Sequence, residues 1–149
     1  MATRALYFCG SIRGGRADRE LYESIIQQLQ RYGSVLTEHI ARPDITEKGE
    51  DANEKGDKFI HDRDLDWLQQ SDVVVAEVTQ PSLGVGYELG QAVAMKKKIL
   101  CLFRPSSGRV LSAMIRGAQD GQLVQVKDYE PEELEGILSH YFTVTLPSL

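Results

Sequence analysis

The chain has 149 residues, 42% of them hydrophobic and 26% charged, with a formal net charge of −5. That length suits one domain with a sizeable core, and the acidic balance excludes a broad basic surface for a nucleic-acid polymer or an anionic membrane. A local anion site stays open, because backbone amides and one or two arginines are enough to hold a phosphate.

The N-terminal stretch "MATRALYFCGS" lacks a signal-peptide core, and within it "RALYFCG" reads as a first strand closed by a glycine. "DRELYESIIQQLQRYG" reads as a helix over 18–33, with Leu21, Tyr22, Ile25, Ile26 and Leu29 at helical spacing and Gly33 as its stop. "SVLTEHI" is a second strand over 34–40. Residues 41–56 are polar and aperiodic and read as a flexible loop. A second helix covers 57–71 with Asp57 as its cap. "DVVVAEV" is a third strand, its near-continuous valines fitting burial on both faces. "GYELGQAVAMKK" gives a helix over 86–97, with Glu88 in its first turn. "ILCLF" is a fourth strand, "GRVLSAMIRG" a short helix or turn, "QLVQV" a fifth strand, and "PEELEGILSHYF" a closing helix with Pro131 in its first turn.

Strand–helix alternation of this kind predicts one α/β domain over 1–149. Its expected form is a flavodoxin-like, Rossmann-like doubly wound sheet of about five parallel strands with helices on both faces. No run approaches the roughly 20 apolar residues of a membrane span. Cys9 and Cys101 are too few for a disulfide framework and read as buried, reduced thiols. A cytoplasmic or nuclear protein is expected.

Ligands on such sheets bind beyond the carboxyl ends of the strands. Two loops there are rich in small residues: "CGSIRGGR" after the first strand and "TQPSLGVG" after the third. Neither is a P-loop or a dinucleotide fingerprint. Small residues let amides approach a phosphate, so the first loop is either a phosphate site or a tight loop with solvated arginines. Glu88 is either an acid favoured by the helix dipole or an ionised nucleophile. Ile60, Asp64, Trp67 and Leu68 share one helical face, so Asp64 is either a buried ion pair or an acid kept for chemistry. Asp62 and Asp66 point elsewhere. Tyr7 is either a core residue or part of the site. Ser112 and Met114 lie on a helix face, core or interface. His39, His61 and His140 lack ligand spacing, so no metal is expected.

The strings "LYFCGSIRGGR", "DLDWLQQSDVVVAEVTQPSLGVGYELG" and "LCLFRPSSGRVLSAMIRGAQDG" together resemble the 2'-deoxynucleoside 5'-monophosphate N-glycosidases of the nucleoside 2-deoxyribosyltransferase superfamily. The resemblance implies a cofactor-independent hydrolase that releases a free base and 2-deoxyribose 5-phosphate. It implies Glu88 as nucleophile, Asp64 as the acid assisting the leaving base, and Tyr7 as the residue orienting the nucleophile. It implies a phosphate loop of Gly10, Ser11, Ile12, Arg13 and Gly14, joined by Ser82 and Gly84, with His39 near the base. It implies a homodimer in which Ser112 and Met114 are donated to the neighbouring site. A double displacement predicts carboxylates about 5 Å apart, the retaining arrangement. The rivals are an FMN-binding flavodoxin-like reductase, suggested by "GSIRGGR", and a nucleotide sensor without catalysis.

Overall fold

In a computed structural model of the chain, residues 3–11, 18–37 and 56–149 are described. Five strands form one all-parallel sheet: β1 (Ala5–Cys9), β2 (Ser34–Val35), β3 (Val73–Glu77), β4 (Lys98–Phe103) and β5 (Val124–Asp128), in the order β2-β1-β3-β4-β5. The order reverses between β1 and β3, so the two loops rich in small residues leave adjacent strands at the switch point. The flavodoxin-like expectation holds.

The helices are α1 (Arg19–Leu29), α2 (Gly56–Gln70), α3 (Leu83–Ala94), α4 (Ala113–Arg116) and α5 (Leu134–His140). Alternation along the strands divides the core in two. Leu6, Phe8, Val73, Val75, Leu100 and Leu102 pack against α1 and α5. Tyr7, Cys9, Val74, Ala76, Ile99 and Cys101 pack against α2 and α3. All five residues of β3 are buried, as its valines predict; each of Val73, Val74 and Val75 contributes about 1.5–3 kcal/mol of apolar burial. Both cysteines are buried free thiols.

Several boundaries move for physical reasons. α1 stops at Leu29 rather than at Gly33. A Cβ on Gly33 would lie 2.3 Å from the Arg4 carbonyl oxygen, so that glycine serves the close approach of the chain to β1. β2 is two residues long, because the Thr37 hydroxyl takes over the pairing: it accepts from the Phe8 amide at 2.8 Å and donates to the Phe8 carbonyl at 2.7 Å. Gly56, counted above with the polar loop, opens α2 at φ 80°, and Asp57 lies inside the first turn rather than capping from outside. The rest of the expected flexible loop, 41–55, lies outside the described residues. α3 begins at Leu83, three residues before Gly86. Among the described residues no helix is long and apolar enough to cross a membrane.

Candidate active site

α3 starts early because Ser82 is its cap: the Ser82 hydroxyl accepts from the Val85 amide at 3.2 Å. This corrects the placement of Glu88. With Leu83 as the first helical residue, Glu88 falls in the second turn, and no acid occupies the first. The helix dipole acts mainly within the first turn, so it does not hold Glu88 ionised.

What surrounds Glu88 is burial and a tyrosine. The Tyr7 hydroxyl donates to the Glu88 carboxylate. Tyr7 lies in the middle of β1, with no exposed surface, and points towards α2 and α3. Burial pushes the Glu88 carboxyl from its ordinary 4.5 up to about 7; the Tyr7 hydrogen bond opposes the rise, and the nearby negative charge of Asp64 adds to it. Burial, and then the charge of Glu88, push the Tyr7 phenol far above its ordinary value, so Tyr7 stays a donor.

Asp64 comes from α2, on the face that carries Leu68 into the core. It is part-buried and paired with Arg63, whose Nε and Nη2 each lie 3.0 Å from the same carboxylate oxygen. Arg63 in turn lies over the Trp67 ring, 4.7 Å from its centroid. Asp62 and Asp66 are exposed and bond to Lys58 and Gln70, as their positions on the helix predict. The structure thus brings Tyr7, Asp64 and Glu88 into one electrostatic group at the α2/α3 face of the sheet. A half-buried carboxylate with one donor among the described residues and a second acid beside it can serve as nucleophile or base near neutral pH.

The expected phosphate residues are partly in view. Ser11 follows β1, is fully buried, and its hydroxyl has no hydrogen-bond partner among the described residues. Gly10 answers a packing demand: a Cβ there would meet the Tyr22 ring at 2.8 Å. A Cβ on Gly84 would meet nothing closer than the Ser82 hydroxyl at 3.8 Å. Ser112 caps α4, accepting from the Met114 amide at 3.2 Å, and Met114 is 82% exposed. No hydrogen bond joins either to Tyr7, Asp64 or Glu88 among the described residues. Ile12, Arg13, Gly14 and His39 lie outside the described residues.

A second carboxylate was missed. Glu77 ends β3 with no exposed surface. It accepts from the Thr79 amide at 2.8 Å, the Thr79 hydroxyl at 3.0 Å, the Tyr129 hydroxyl at 2.5 Å and Arg104 Nε at 3.3 Å. The signal was present in "DVVVAEV": an acid in an otherwise apolar parallel strand is costly without partners.

A family model described as nucleoside 2-deoxyribosyltransferase matches residues 6–126. A protein of Esox lucius named 5-hydroxymethyl-dUMP N-hydrolase is 69% identical over 137 residues, covering 92% of this chain and 94% of its own. The Homo sapiens protein of the same name is 66% identical over 143 residues, covering 96% of this chain and 82% of its own. A Trichoplax adhaerens relative, named as a putative 2'-deoxynucleoside 5'-phosphate N-hydrolase 1, is 58% identical over 144 residues, covering 97% of this chain and 96% of its own. Among solved structures, the Clostridium botulinum CMP N-glycosidase BcmB superposes with a TM-score of 0.68 at 21% identity, over 93% of this chain and 99% of that one, a likeness of fold.

Proposed function

The chain belongs to the nucleoside 2-deoxyribosyltransferase family and is an N-glycosidase, and from that premise we propose that it hydrolyses 2'-deoxynucleoside 5'-monophosphates, 5-hydroxymethyl-dUMP foremost, to free base and 2-deoxyribose 5-phosphate. The observation that carries the reading is the half-buried Glu88 carboxylate, held by the Tyr7 hydroxyl and sharing its surroundings with Asp64. The choice of base follows the names of the Esox lucius and Homo sapiens relatives, 69% and 66% identical.

In this reading a Glu88 oxygen bonds to C1' as the C1'–N bond breaks, and the bonding pair leaves with the base. Asp64 assists by delivering a proton to the departing base. Water then adds to C1' as the C1'–Glu88 bond breaks, its proton passes to the Asp64 carboxylate left by the first step, and Glu88 returns as a carboxylate. Tyr7 orients the attacking oxygen and favours its ionised form. Gly10, Ser11, Ile12, Arg13, Gly14, Ser82 and Gly84 hold the 5'-phosphate, and the buried Ser11 hydroxyl, without a partner among the described residues, supports that role. His39 lies towards the base.

A 2'-hydroxyl withdraws electron density from C1' and crowds the attack, so ribonucleotides are expected to be poor substrates. The working unit is a homodimer in which Ser112 and Met114 serve the neighbouring site. In support, Leu83, Val110 and Met114 are 96%, 94% and 82% exposed, an outlay of apolar surface that a partner would cover. A cytoplasmic or nuclear enzyme is expected.

The test is a panel of 5-hydroxymethyl-dUMP, dUMP, dGMP, GMP and the nucleoside 5-hydroxymethyl-deoxyuridine, followed by chromatography of released base. Fastest release from 5-hydroxymethyl-dUMP, with little from GMP or the nucleoside, is expected. No release from any of them would contradict the reading, and equal release from nucleotide and nucleoside would remove the phosphate assignment.

A further inference from the structure

The two carboxylates of the site come from two helices, Asp64 from α2 and Glu88 from α3, which pack together on one face of the sheet. The negative charge of Asp64 is felt at Glu88, and like charges repel. The spacing of the two helices has to be held against that repulsion.

A hydrogen bond crosses from one helix to the other beside the carboxylates. His61 Nε2 of α2 lies 2.9 Å from the Tyr87 hydroxyl of α3, and the two rings stand 5.5 Å apart. His61 Nδ1 lies 2.8 Å from Asp62 Oδ1, and Asp62 Oδ2 accepts from Lys58 Nζ at 2.8 Å. The Lys58 and His61 hydrogen bonds hold the Asp62 carboxyl below its ordinary value, so Asp62 is an acceptor. That places the proton of the neutral imidazole on Nδ1 and leaves Nε2 to accept from the Tyr87 hydroxyl. Tyr87 immediately precedes Glu88, and His61 stands one turn before Asp64 on α2. The bond therefore grips each helix next to the acid that helix carries.

We infer that the Asp62–His61–Tyr87 chain is a strut between α2 and α3 that sets the separation of Asp64 and Glu88. His61 and Tyr87 are positioning residues, acting through the helices they join. The inference rests on the reading of Glu88 as nucleophile and Asp64 as acid. Both must reach the same C1'–N bond, and a misplacement of about 1 Å can cost a hundredfold in rate.

Tyr87→Phe removes one hydroxyl from an exposed ring, and His61→Ala removes the same bond from its other end, also exposed. In folded variants, checked by thermal melting, kcat for 5-hydroxymethyl-dUMP is expected to fall about tenfold with KM within about threefold. The double variant should be no slower than either single one. His61→Gln keeps an acceptor for Tyr87 and should recover most of the loss. A second readout is the Glu88 titration, followed by carboxyl-carbon NMR of the free enzyme and assigned against Glu88→Gln. The described groups whose charges couple to Glu88 are Tyr7 and Cys9 of β1 and Asp64 of α2, the last paired with Arg63. Tyr87→Phe leaves all of them in place but lets Asp64 stand farther off, so Glu88 should titrate at lower pH than in the parent. Folded Tyr87→Phe and His61→Ala proteins with kcat within twofold of the parent overturn the strut. Losses that multiply in the double variant, or an unmoved Glu88 titration, overturn it too. If Glu88→Gln itself keeps kcat within tenfold of the parent, the carboxylate reading falls and the strut with it. An inactive Glu88→Gln beside a fully active Tyr87→Phe removes the strut only.

Discussion

Two glutamates, Glu77 fully buried and Glu88 half-buried, lie on opposite faces of one sheet, and each accepts a hydrogen bond from a tyrosine. Their surroundings differ. Among the described residues Glu77 has four donors, Arg104 among them, whereas Glu88 has the Tyr7 hydroxyl and a second acid, Asp64, nearby. Burial alone does not separate a structural carboxylate from a reactive one; the number and sign of the groups facing it do. A saturated carboxylate has spent its lone pairs and holds the chain together. One left short of donors, and pushed up to about 7 chiefly by burial, keeps a lone pair for chemistry.

The comparison breaks most sharply at the reactive side. Glu88→Gln should lower kcat by at least about a thousandfold, some 4 kcal/mol of barrier, with a native fold. A variant within tenfold of the parent would take the nucleophile's role from Glu88. Glu77→Gln should do the reverse. Removing its charge leaves Arg104 short of one partner and turns an amide donor towards the Tyr129 and Thr79 donors. A loss of roughly 3 kcal/mol is expected, read as a lower melting temperature or denaturant midpoint, with activity per folded molecule largely kept.

Tyr7→Phe sharpens the contrast. The Tyr7 hydrogen bond opposes the rise of the Glu88 carboxyl, so its loss should move the acid limb of the kcat/KM profile, expected near pH 7 in the parent, to higher pH. Activity at neutral pH should fall about 10- to 100-fold. An unmoved limb would mean that Tyr7 does not govern Glu88 ionisation.

The smallest effect is on stability. Because the folded carboxyl lies near 7 and the ordinary one at 4.5, the folded state binds more protons between those values, and stability drains away as pH rises through them. Glu88→Gln removes that penalty. It should stabilise the protein by about 1–3 kcal/mol at pH 8 and by almost nothing near pH 4. Equal melting temperatures of parent and variant at pH 8 would show that Glu88 is not strained by burial.

The fold was readable because its signals are local and repeated: valines without interruption in β3, helical spacing from Leu21 to Leu29, and strands alternating with helices. Asp64 was readable for the same reason, as an acid on an apolar face. The helix-dipole argument for Glu88 does not survive, because the cap at Ser82 starts α3 three residues earlier and carries Glu88 away from the dipole. Glu77 went unmarked, although it obeys the rule that marked Asp64. Its partners Arg104 and Tyr129 stand 27 and 52 residues away, and only the sheet brings them together.

The central claim is that Glu88, and not Glu77, bonds to the sugar. The direct measurement is mass spectrometry of enzyme mixed with a 2'-fluoro-arabino analogue of the nucleotide, whose fluorine destabilises the oxocarbenium-like transition state and so slows hydrolysis of a glycosyl-enzyme. The account predicts one added fluoro-deoxyribose phosphate per chain, carried on the peptide that contains Glu88. Turnover of the analogue without any adduct, or an adduct on the peptide containing Glu77, would contradict it.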